Sequence, residues 1–170
     1  MASHPTGSAI VNGLSVDVED YFQVSAFEDV VGTRRWEEFE RRVVPNTERL
    51  LAMFAEAGVR ATFFVLGWVA EREPALVRRI GEQGHEIAAH GFWHRLVYRQ
   101  TREQFREDVS RAKAVLESIV GQPVLGYRAP SFSITEASLW ALHVLAEEGY
   151  VYDASVFPIR HDRYGIPGAP

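Results

Sequence analysis

From Asn46 onward the chain repeats one local grammar four times, and that repetition limits the fold more than any other feature. A helical stretch with one apolar stripe ends at a glycine, and a short β-branched or aromatic run follows. Leu50, Leu51, Phe54 and Ala57 lead to Gly58 and residues 61–66. Leu76, Val77 and Ile80 lead to Gly84 and residues 85–89. Phe105, Val109, Ala112, Val115, Leu116 and Ile119 lead to Gly121 and residues 124–127, and Leu139, Leu142, Val144 and Leu145 lead to Gly149 and residues 150–153. Asn46, Pro74 and the Thr101-x-x-Gln104 box supply helix starts. Strand, helix and strand in alternation is the pattern of β/α units around a parallel sheet. Residues 10–18 add a first strand. Residues 21–31 read as aromatic-rich and irregular. A short amphipathic helix through Trp36, Phe39, Arg42 and Val43 is expected to stop at Pro45.

Ligand chemistry in such sheets gathers at the C-terminal ends of the strands. The polar clusters of this chain fall there repeatedly: Asp17, Glu19 and Asp20, then His90 and His94, then Arg128, then Asp153. Four residues apart in a helical turn, the two imidazoles would lie on one face and could share a divalent cation. An oxygen ligand would come from the acidic cluster, and a second carboxylate beside it could take a proton from water. The plain alternative for the acidic cluster is a solvated strand end. Arg128 reads either as a surface arginine or as a partner for a carboxylate, and Asp153 is ambiguous in the same way. His85 suits a structural role, and neither His143 nor His161 has a partner that recommends it. Phe92, Trp93, Phe132 and Phe157 suit core or pocket wall.

Composition removes several classes. The chain has 170 residues, 46% of them hydrophobic, enough for one domain with a sizeable core. A net charge of −5 with basic residues dispersed among acids argues against a nucleic-acid surface. There is no cysteine, so any metal must be held by His and carboxylate, which suits zinc and other borderline divalent ions. No apolar run approaches the ~20 residues of a membrane span. Residues 1–9 read as a disordered lead-in rather than a signal peptide, so the expected compartment is the cytoplasm.

Taken together, Ser15-Val16-Asp17-Val18-Glu19-Asp20, Thr62-Phe63-Phe64-Val65-Leu66-Gly67, the stretch from Gly84 through His90 to His94, Arg128-Ala129-Pro130 and Asp153-Ala154-Ser155 resemble the polysaccharide deacetylase family. These are family 4-type carbohydrate esterases with the NodB homology domain. The Asp-Val-Glu-Asp-Tyr-Phe opening is most similar to the branch found with bacterial exopolysaccharide and exosortase gene clusters. The resemblance implies a distorted (β/α)7 TIM-like barrel and metal-dependent removal of N-acetyl groups from a sugar polymer, with zinc as the expected metal. It places Asp17 at the catalytic base, His90 and His94 at the metal, Arg128 at the residue that orients the base, and Asp153 in a supporting motif.

Two departures follow from that resemblance. The family opens on adjacent aspartates, base then ligand, and here Val18 holds the second place. The carboxylate ligand is then Glu19 or Asp20, and strand alternation favours Glu19. The family's late Leu-x-His-like segment, which supplies the general acid, has no counterpart before Pro170. The domain over residues 10–170 is therefore expected to continue past residue 170. An N-acetylated exopolysaccharide is the expected substrate. A small cyclic amide, as in the allantoinase-like branch, and a non-catalytic glycan-binding barrel are the alternatives.

Overall fold

The structure is a computed structural model that describes residues 12–169. Five parallel strands form one sheet: β1 (Ser15–Val18), β2 (Thr62–Val65), β3 (Glu86–Ala89), β4 (Gly126–Tyr127) and β5 (Tyr152–Asp153). The helices are α1 (Glu28–Val31), α2 (Val43–Ala57), α3 (Gly67–Arg72), α4 (Pro74–Glu82), α5 (Arg102–Val120) and α6 (Trp140–Glu147). Strand order across the sheet is β1-β2-β3-β4-β5. Each crossover steps one strand in the same direction, which is how a barrel wall winds; a doubly wound sheet reverses at a switch point. The expected α/β architecture is present. The lead-in over residues 1–9 and the first two residues of the strand expected over 10–18 lie outside the described residues.

Register decides which side chains meet. Val16, Phe63 and Ile87 are in register, as are Val18, Val65 and Ala89, and both rows lie in the core beneath the helices. The intervening row is Asp17, Phe64 and Ala88, continued across the sheet by Gly126 and Tyr152. Alternation along a strand turns this row to the opposite, inner face. Gly126 leaves room there: a Cβ would run into the Tyr152 ring, whose hydroxyl donates to Glu86 Oε1 at 2.7 Å. Two residues beyond this row stand Glu19, His90 and Arg128, so strand parity alone aims all three at one place.

Local signals placed helix ends better than helix starts. Gly58, Gly84, Gly121 and Gly149 all take positive φ, and the Thr101/Gln104 capping box forms. The helix expected to stop at Pro45 does not exist. Thr33–Glu38 is a 3-10 turn, and α2 begins at Val43 with Pro45 inside its first turn, where the missing N–H breaks no helical bond. Asn46 is not the cap. Asp20 Oδ2, far away in sequence, accepts the N–H groups of Arg42 at 2.8 Å and Val43 at 3.0 Å. No periodicity announces α3, because Gly67, Trp68, Val69 and Ala70 are all buried and leave no amphipathic stripe. The fourth helical stretch, expected ahead of Gly149, divides into a 3-10 turn, Glu136–Ser138, and α6. β4 and β5 keep only two residues each.

The start of α3 lies under the loop that carries the histidines. A Cβ on Gly67 would come 2.5 Å from Phe92 Cδ2 and 3.2 Å from the Ala112 backbone of α5. Gly67→Ala is expected to cost about 1–3 kcal/mol in urea unfolding, the usual range for overpacking. Gly13→Ala, with nothing within 4 Å, should stay within about 0.5 kcal/mol. Equal midpoints for the two variants would show that this close approach does not exist.

Candidate metal centre

His90 follows β3 directly, and its N–H continues the ladder to the Val65 carbonyl at 3.0 Å. Its Nδ1 lies 2.8 Å from the Arg128 carbonyl oxygen. A carbonyl can only accept, so Nδ1 carries the proton and Nε2 keeps its lone pair for a ligand. The chain then folds back through Gly91 at φ +72° and His94 at φ +54°. Between them the N–H groups of Phe92 and Trp93 donate to Asp108 of α5, at 2.7 and 3.1 Å. His94 Nε2 arrives 2.6 Å from Glu19 Oε2, and His90 Nε2 lies 4.0 Å from the same oxygen. The pair does converge, but as a loop with two left-handed residues and not as the expected helical turn.

The arrangement fits a divalent cation. Glu19, His90 and His94 each offer an atom, and these lie within 4.8 Å of one another. Both histidines are buried, and Glu19 Oε2 is a buried acceptor that faces the Nε2 atoms of both. Such an atom is costly to bury unless something positive meets it. Burial pushes the Glu19 carboxyl up, yet the adjoining His94 and His90 outweigh it and leave the group below the usual range. Burial holds the His90 imidazole below its usual range against the pull of Asp17 and Glu19, which favours the neutral, ligating form. Two nitrogens and one oxygen, in a chain without thiolate, form a donor set for a borderline ion.

Arg128 joins the second carboxylate to this cluster. Its Nη1 donates to Asp17 Oδ1 at 2.7 Å, its Nη2 to Ser15 Oγ at 2.8 Å, and its guanidinium lies 4.0 Å from the Phe64 ring centre. One residue thus orients His90 through its carbonyl and Asp17 through its side chain.

Other expectations need correction. Asp20 is not placed as a metal ligand: its carboxylate is spent on Tyr21, Arg42 and Val43 N–H groups, because strand parity turns it away from Glu19. Asp153 does not touch Arg128. It is in register with Tyr127, on the other parity, and accepts from the Ser155 N–H at 2.9 Å and Ser155 Oγ at 2.6 Å. Ser155 Oγ in turn accepts the Ala129 N–H at 2.7 Å, so Asp153 braces the loop after β4. Phe92 is core, while Phe132 packs edge-to-face on Phe157 at 4.8 Å as wall. His143 is exposed, and His161 pairs with Asp162. Ser15 and Ser155 stood in the quoted motifs without a role, and Asp108 was not singled out; a lone serine or a helical aspartate carries no local signal.

His85 sits at the opposite end of β3 from His90, where its Nδ1 accepts the Ala61 N–H at 3.2 Å. Burial, then Arg60, lowers its pKa. The unfolded chain therefore binds the proton first, and stability should fall as pH drops below about 6.5. His85→Gln is expected to lose less stability than the native chain between pH 7.5 and 5.5 in urea titrations. Equal losses would show that His85 is not neutral in the fold.

The polysaccharide deacetylase family model matches residues 28–150, which hold His90, His94 and Arg128. The chain belongs to the polysaccharide deacetylase family. It is similar to a peptidoglycan-N-acetylglucosamine deacetylase of Bacillus cereus, 31% identical over 96 residues, covering 56% of this chain and 35% of that one. A chitooligosaccharide deacetylase of Sinorhizobium fredii is 48% identical over 48 residues, 28% of this chain and 22% of that one. Among solved structures, one assigned as a polysaccharide deacetylase from Mycobacterium smegmatis superposes with a TM-score of 0.73 at 27% identity, over 92% of this chain and 54% of that one. The chain spans about a third to a half of the first curated relatives it matches. No helix among the described residues is long and apolar enough to cross a membrane.

Proposed function

We propose that this chain carries the metal-binding site of a hydrolase that removes N-acetyl groups from a glycan, releasing acetate and a free amine. The observation that supports it most is the convergence of Glu19, His90 and His94 beside an Asp17 held by Arg128. Glu19, His90 and His94 would hold the ion, with zinc favoured by the donor set. A bound divalent ion supplies Lewis-acid polarisation of a carbonyl and acidifies water. The rest falls to the chain's own groups. Asp17 Oδ1 is committed to Arg128, which leaves Oδ2 to accept a proton from water. Arg128 and Ser15 fix the angle of that carboxylate, and the neutral Nδ1–H tautomer of His90 is fixed by the Arg128 carbonyl. The names of the similar proteins support an N-acetylated amino-sugar polymer, and the Asp-Val-Glu-Asp-Tyr-Phe opening favours an exopolysaccharide within that class.

In the native protein, acetate release from N-acetylated oligosaccharides should stop on chelation and return with zinc. Asp17→Asn should lower kcat by ~10²–10⁴-fold, the range for losing a general base, while bound metal stays at the native level. Native turnover in Asp17→Asn, or turnover unaffected by chelator, would refute this reading.

A further inference from the structure

We propose that Asp108 is a positioning residue that sets the metal affinity of the site through the backbone carrying His94. The inference rests on the reading of Glu19, His90 and His94 as metal ligands. The two histidines are held by different means. His90 is oriented by its own side chain, through Nδ1 and the Arg128 carbonyl. His94 has no such restraint: its Nδ1 is buried and lacks a hydrogen-bond partner among the described residues. Apart from the Nε2 contact with Glu19, its ring position depends on the preceding backbone, and His94 itself adopts a left-handed φ, which is uncommon for an L residue.

Asp108 is the group that holds that preceding backbone. Its Oδ2 accepts from Phe92 and its Oδ1 from Trp93, so one carboxylate clamps two consecutive N–H groups in the turn between the histidines. The residue is only 6% exposed, and no basic side chain lies within ion-pair distance of it among the described residues. A buried carboxylate is tolerable only with hydrogen bonds of this kind. The loop is shaped to receive it: a Cβ at Gly91 would come 2.8 Å from Asp108 Oδ2, at a φ of +72°. An asparagine could accept from one of the two N–H groups but would present its own N–H to the other.

The test is zinc titration of the metal-free protein by competition calorimetry, with the cobalt(II) absorption spectrum as a second readout of ligand geometry. Asp108→Asn should weaken zinc binding by about 10–100-fold, as outer-sphere substitutions do, and alter the cobalt spectrum. Gly91→Ala attacks the same contact from the loop side and should weaken zinc in the same direction; it decides the matter if Asp108→Asn does not fold. Tyr150→Phe is the control. It removes another buried bond to α5, Tyr150 Oη to the Val109 carbonyl at 2.8 Å, and should leave zinc affinity at the native level. Zinc affinity within twofold of native in both Asp108→Asn and Gly91→Ala would overturn the inference and leave the metal site intact. An equal loss in Tyr150→Phe would also overturn it, because the effect would then be general stability. A native protein that binds no zinc would refute the ligand assignment itself.

Discussion

Everything at the site depends on the parity of parallel strands held in register. Asp17, Phe64, Ala88, Gly126 and Tyr152 make one inward row, and two residues past it Glu19, His90 and Arg128 leave the strand ends on the same side. A one-residue slip in any strand would send its functional side chain into the helical layer. The apolar rows beneath the helices prevent that slip, since Phe63, Val65 and Ala89 have no exposed surface to give up. The hydrophobic core therefore does more than stabilise: it fixes the phase of the chemistry.

Past the strand ends, geometry is held by polar contacts and local strain. Three non-glycine residues among those described take positive φ, namely His94, Ser131 and Phe132, and all belong to the strand-end loops. Each costs of order 1–3 kcal/mol and persists only where neighbours over-determine it. Asp108 does so for the histidine loop, and Asp153 through Ser155 does so for the loop after Arg128. The 3-10 turns after β1 are tied back by Asp20, which bridges the end of that strand to the start of α2, and by Phe22, whose ring packs on Phe39 at 5.4 Å and Trp68 at 6.0 Å. Glu19 thus leaves a strand whose exit is braced on both sides.

Much was legible in the sequence because its causes are local. Glycine at positive φ, the Thr101 box and the apolar stripes reveal the β/α order without reference to any distant residue. The strand-end positions of Asp17, Glu19, His90, His94 and Arg128 follow from that order, and parity chose Glu19 over Asp20 as the candidate ligand. The tertiary structure decided whatever depends on a partner far along the chain. Asp20, the less favoured of the two candidate ligands, became the cap of a helix 22 residues on. Asp153, expected only to support the site, became a brace of the loop after β4, because β5 pairs with β4 in a register that puts it opposite Tyr127. The histidines met through a strained loop that no spacing rule describes. Its shape is set by a carboxylate on α5, and hydrogen bonds across 15 and 16 residues leave no periodic trace in a sequence.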